Sequence, residues 1–168
     1  MITPEYCQTM ARYNCWQNNN LYGAADQLSH EERQKDRGAF FGSIHGTLSH
    51  LLWGDTIWMH RFDGWELPEI GIPDSHGFAP EWDALCDQRG LADAAIMDWA
   101  ERLAPADIEG QIDWYSKAVA RRMSQPLAIC IMQLFNHQTH HRGQVHAMLT
   151  AAGGKPSDTD LPFMPETC

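Results

Sequence analysis

The sequence predicts an all-α protein: a four-helix bundle in one domain over residues 1–168, with a short hairpin before the last helix. Four long segments repeat apolar residues near the 3.6-residue period of a helix. Stretches rich in Gly and Pro separate them. A length of 168 residues, 43% apolar and 20% charged, suits one core that needs no staples.

Pro4 opens the first segment, and Met10, Tyr13, Cys15, Trp16 and Leu21 fit a helix running to about Leu28. Asn18, Asn19 and Asn20 weaken its middle, because Asn is a modest helix former. The second helix is expected from Ala39 to Phe62, where Phe41, Ile44, Leu48, Leu51, Asp55, Trp58 and Phe62 form nearly one stripe. The stretch "DGWELPEIGIPDSHGFAP" that follows is a loop, either a surface connection or the border of a functional mouth. A third helix begins near Pro80 and carries Trp82, Leu85, Ile96, Trp99 and Leu103, with Gly90 as a weak point. Alternation between Asp107 and Met123 suggests the hairpin. The fourth helix is expected to start with Ser124 as N-cap ahead of Pro126 and to stop at Gly153. The Pro-rich tail is not helical, and Leu161, Phe163 and Met164 are expected to dock on the bundle.

A net charge of -10 argues against affinity for nucleic acid, since only Arg121 and Arg122 sit together. No stretch reaches the length of a membrane span, and the N-terminus does not read as a secretory signal. The five cysteines (Cys7, Cys15, Cys86, Cys130 and Cys168) include no CxxC pair. They are expected to be free thiols in a reducing cytoplasm, with Cys168 exposed at the end. Seven tryptophans exceed what packing alone requires, so some are candidates for pocket walls.

The chemistry concentrates in "FNHQTHHRGQVH", Phe135 to His146, with four histidines in twelve residues. Side chains at i and i+4 share a helical face. The apolar stripe Leu127, Cys130, Leu134 continues through His137, His141, Val145 and Met148, which selects His137 and His141 as a pair able to reach one ion. A buried His can instead be satisfied by a neighbouring side chain, but two on one stripe are harder to satisfy that way. A catalytic metal needs a third protein ligand and an open position. The second helix offers His45, His50 and His60. Periodicity favours His45, while Gly46 and Gly54 on the face of His50 leave room for a close approach, so spacing leaves the choice open. HExxH, Glu-x-x-His, the phosphate loop and the G-x-S-x-G elbow are absent.

Together "SHLLWGDTIWMHRF" and "FNHQTHHRGQVHAML", with Asn14 and Trp16 in "RYNCWQN", resemble the DinB family, the DinB/YfiT-like group of four-helix-bundle metalloproteins. The resemblance runs from about Thr3 to Leu161, and His137 to Gln144 is its most specific part. It implies His50, ahead of Trp58, Met59 and Arg61, as the third ligand beside His137 and His141. It also implies a homodimer, a divalent ion such as zinc or nickel, expression under stress, and a low-molecular-weight thiol as co-substrate. Family members with assigned activity are bacillithiol-type S-transferases or mycothiol-dependent isomerases.

A centre of that kind implies a thiol S-transferase acting on small electrophilic molecules. A metal-dependent hydrolase and a non-catalytic metal or small-molecule binding protein are the alternatives. Asp55 is a candidate for orienting a ligand or moving a proton, or else forms a buried salt bridge to Arg142 or Arg61. Arg142 is a candidate for binding a substrate carboxylate, or else a solvated residue. Asn14, Trp16, Trp53 and Trp58 are candidate pocket walls.

Overall fold

The computed structural model covers Met1–Cys168 and is mainly helical, as the periodicity predicts. Helix α1 spans Pro4–Asp26; Thr3 caps it by accepting from the Tyr6 amide at 3.3 Å, and Pro4 supplies the preset φ of a first turn. A five-residue helix α2, His30–Gln34, follows. Helix α3 spans Ile44–Asp63, with Ser43 as N-cap and Gly64 in the left-handed region at φ 71° as its stop. It begins later than the apolar stripe suggests, because Ala39 and Gly42 close an isolated bridge that carries Phe41 outside the helix.

The following loop contains one 3-10 turn, Ile72–Gly77, before α4 at Trp82–Arg102. The hairpin forms from β1, Gln111–Ser116, paired antiparallel to β2, Arg121–Pro126. Ser124 is therefore not a helix cap. It pairs with Asp113 in the ladder, and its hydroxyl donates to Gln111 Oε1 at 2.8 Å. Pro126 leads directly into α5, Leu127–Ala151, which ends ahead of Gly153 at φ 83°.

Helix α1 packs on α4 and α5, and α3 packs on the same two, which closes the four long helices into a ring. Their apolar residues form two clusters. One gathers Leu21, Leu48, Leu85 and Leu149; the other gathers Cys7, Met59, Ile96 and Phe135. Between them lies a buried polar layer. Arg89 pairs with Asp55 at 2.7 Å and Asp93 at 2.9 Å, and Asn18 donates to Asp93 at 2.9 Å. Arg142 donates to Asn14 at 2.6 Å and Gln138 at 3.3 Å, and its guanidinium carbon lies 5.3 Å from the Tyr13 ring centre. The partner of Asp55 is thus Arg89 of α4, not Arg142 or Arg61, and Arg142 is buried rather than solvated. Burial pulls the Arg142 guanidinium down to about 10.

The tail docks by polar contacts and a covalent bond rather than by its apolar residues: Leu161 and Phe163 are exposed and Met164 half-buried. Tyr13 and Gln17 donate to the carbonyls of Thr159 and Asp158, and Asn20 exchanges hydrogen bonds with Ser157. Cys15 and Cys168 form a disulfide across 153 positions of sequence, which corrects the expectation of five free thiols. Cys7, Cys86 and Cys130 are free. No helix is long and apolar enough to cross a membrane.

Candidate metal centre

Helix α3 brings His50, and α5 brings His137 and His141, to one point in the same layer as the buried ion pairs. Their candidate ligand nitrogens all lie within 4.8 Å of one another. His50 Nε2 and His137 Nε2 are 3.1 Å apart. Two nitrogens bound tetrahedrally at about 2.1 Å from one ion would be separated by roughly 3.4 Å, so the pair is close to a shared-ligand spacing. The approach depends on Gly54. A Cβ built there would stand 2.8 Å from His137 Cε1 and 3.2 Å from His137 Nδ1, so any side chain would displace the ring.

Neighbouring groups fix which nitrogen of two rings is free. The Ser75 hydroxyl donates to the Ile72 carbonyl at 2.7 Å, so its oxygen accepts from His50 Nδ1–H, also at 2.7 Å. That leaves the lone pair of His50 on Nε2, turned toward His137. His141 Nδ1 lies 2.7 Å from Gln144 Oε1, which assigns the proton to Nδ1 and frees Nε2. Phe41 stacks on His50 with ring centres 3.6 Å apart and an interplanar angle of 19°, fixing the plane of that ring.

All three imidazoles are held neutral. Burial, then the proximity of His137 and His141, pushes His50 down to about 3. Burial, then His141 and His140, pushes His137 down to about 4. Burial lowers His141 as well, with Gln144 working against it. A hydrogen bond from His137 to His50 satisfies those two rings in part, but it leaves His137 Nδ1 buried without a partner and does not engage His141. Three neutral bases with no acid among them are a donor set that a divalent cation fits.

The cluster opens on a cavity of about 450 Å³ walled by Phe40, Phe41, Trp53, Ile57, Trp58 and Ile72, with His140 and Gln144 at its side and no carboxylate. Of the four expected wall residues, Trp53 and Trp58 line this cavity; Asn14 holds Arg142, and Trp16 packs edge-on against Tyr13. Asp55 and Arg142 belong to the ionic layer and do not line it. His45, which periodicity favours, is a core residue whose Nε2–H donates to the Ala79 carbonyl at 2.8 Å. His60 is engaged through Nδ1 by the Trp65 carbonyl. Sequence reasoning missed Ser75 and Phe41. Ser75 lies in the loop whose length had marked it as a candidate mouth, and Trp53 anchors the same loop by donating to the Ile70 carbonyl at 3.0 Å.

The model of the DinB family matches residues 1–167. This chain belongs to the DinB family. Protein DinB of Bacillus subtilis (strain 168) is 23% identical over 179 residues, covering 93% of this chain and 91% of that protein. A crystal structure of a DinB-like protein from Bacillus cereus ATCC 10987 superposes with a TM-score of 0.63 at 16% identity, covering 86% of this chain and 91% of the other. At that identity the likeness shows the DinB fold, while the histidine geometry above comes from this chain alone.

Proposed function

We propose that this DinB-family protein is a divalent-metal enzyme, with His50, His137 and His141 as ligands to zinc or nickel, that transfers a low-molecular-weight thiol to small electrophilic molecules. The observation that carries the reading is the convergence of three neutral imidazoles at the wall of an apolar cavity. Neutral ligands leave a divalent ion its full charge, and such an ion lowers the pKa of a thiol or water brought to it.

The chain's own residues do the rest. Ser75 and Gln144 hold the rings of His50 and His141 with their lone pairs free. Phe41, Trp53 and Trp58 exclude water and present flat apolar surface to a carbon electrophile. In thiol transfer the thiol would give up its proton to His140 or solvent while its sulfur displaces a leaving group such as chloride from the electrophilic carbon, and the apolar walls suit such a carbon substrate.

A homodimer in a reducing cytoplasm is the setting this reading assumes. The free Cys7, Cys86 and Cys130 suit that compartment, whereas the Cys15–Cys168 bridge does not. Sedimentation equilibrium at micromolar concentration tests the dimer, and a monomer mass would remove it.

The activity is tested by supplying the zinc- or nickel-loaded protein with 1-chloro-2,4-dinitrobenzene and glutathione, bacillithiol or mycothiol in turn. Thioether formation above the uncatalysed rate, lost in His137→Ala, is the expected result. Turnover of p-nitrophenyl acetate without thioether formation would make it a hydrolase. Metal binding with neither activity would make it a binding protein.

A further inference from the structure

A second cavity, of about 490 Å³, lies at the end of the bundle where α3 and α4 finish and α5 begins. Its apolar wall is built from Phe62, Trp99, Leu103, Ile112, Leu127 and Ile131. Four charged residues also line it, and three of them are engaged. Arg102 pairs with Asp63 at 3.0 Å and with Asp98 outside the cavity at 3.0 Å, and Asp107 accepts from the Ala104 amide at 2.8 Å.

Arg61 is the exception. It is half-buried and forms no ion pair with a carboxylate. Two indoles grip it instead: its guanidinium carbon lies 4.5 Å from the Trp58 ring centre and 5.1 Å from that of Trp114 on β1. The two rings stand edge to face, 69° apart, so they hold the charge from two sides, and indole faces accept no in-plane hydrogen bond from its N–H donors.

We propose that this cavity binds a small organic anion with an apolar tail, its carboxylate on Arg61 and its chain against Trp99, Leu103 and Ile131. A planar carboxylate matches the guanidinium fork by accepting two parallel hydrogen bonds. The charges of Arg61, Arg102, Asp63 and Asp107 cancel over the cavity as a whole, so Arg61 alone is free to take one negative charge, which suits a monoanion better than a doubly charged phosphate. The site is separate from the histidine cavity, although Trp58 touches both: its ring carries Arg61, and it also lines the wall beside His137.

Isothermal titration with octanoate, octanol and octylamine, one chain with three head groups, tests the assignment. The metal-loaded parent is expected to bind octanoate saturably at one site per chain, octanol about tenfold more weakly, and octylamine not measurably. Arg61→Met, which keeps an aliphatic stem beside the indoles, is expected to reduce octanoate affinity to that of octanol. Ile112→Trp, which fills the cavity from β1, is expected to abolish binding of both. Equal affinity of the parent for octanoate and octanol would overturn the role of Arg61, and this comparison needs no variant. Octanoate binding that survives Ile112→Trp but disappears in His50→Ala would place the carboxylate in the histidine cavity and overturn the second site.

Discussion

Two polar clusters occupy one level of the bundle and solve the burial of polar groups in opposite ways. On one side, Arg89 joins Asp55 and Asp93, and Arg142 joins Asn14 and Gln138. The formal charges of the two carboxylates and two guanidinium groups cancel. On the other side, His50, His137 and His141 are bases without an acid, and they open on a cavity. The same helical turns supply both: Gly54 and Asp55 are neighbours on α3, and His137 with Gln138 and His141 with Arg142 are neighbours on α5. A buried cluster whose charges cancel needs no further ion and ties its helices together. A cluster of neutral lone pairs could hold a cation, and this one opens on a cavity.

The sharpest way to break this distinction is to remove a partner from the ionic side. Arg89→Met leaves Asp55 and Asp93 buried without their guanidinium, and urea unfolding is expected to show a loss of about 3–5 kcal/mol. A loss under about 1 kcal/mol would mean the layer is not the structural half of the pair.

The next perturbation acts on the histidine side. Gly54→Ala places a methyl group 2.8 Å from His137 Cε1, so the ring must move. The expected cost is about 1–3 kcal/mol of overpacking, together with at least a tenfold loss of metal affinity in competition with a chelating dye. Unchanged metal affinity would show that His137 does not need its place against α3.

The smallest effect is on pH dependence. In the metal-free protein His50 and His137 titrate near 3 and 4, below the value of 6.5 for an unperturbed His. As pH falls through 6.5 the unfolded chain takes up protons that the folded chain refuses, so this stability is full above that pH and declines on the way down to about 3. Urea midpoints measured across this range are expected to fall less steeply in His50→Gln than in the parent. Parallel slopes would contradict the neutral, buried state assigned to His50.

Much of the fold was legible because its signals are local. Pro4 and Gly153 punctuate helices by their own stereochemistry, and the apolar period runs through each long segment, although it carried the expected start of α3 back to Ala39, ahead of the Ser43 cap. The hairpin was legible from alternation, but Ser124 has the chemistry of a cap wherever it stands, and only cross-strand pairing decided its role. The five residues of α2 are too few to display a period. What stayed hidden was pairing between elements. His45 and His50 are equally buried, so the phase of α3 cannot separate them; the Ala79 carbonyl facing one, and Ser75 and His137 facing the other, can. The pairing of Asp55 with Arg89 and of Cys15 with Cys168 spans helices or nearly the whole chain, and leaves no trace in spacing. His137 and His141 were legible because a helix places i and i+4 on one face before any tertiary contact forms.

The most direct test of the central claim is the metal content of folded, tag-free protein by plasma mass spectrometry, in the parent and in His50→Ala, His137→Ala and His141→Ala. Close to one divalent ion per chain is expected in the parent and its loss in each variant, with circular dichroism still dominated by helix. A parent that carries no metal and takes up neither zinc nor nickel would contradict it, and the three histidines would then be core residues.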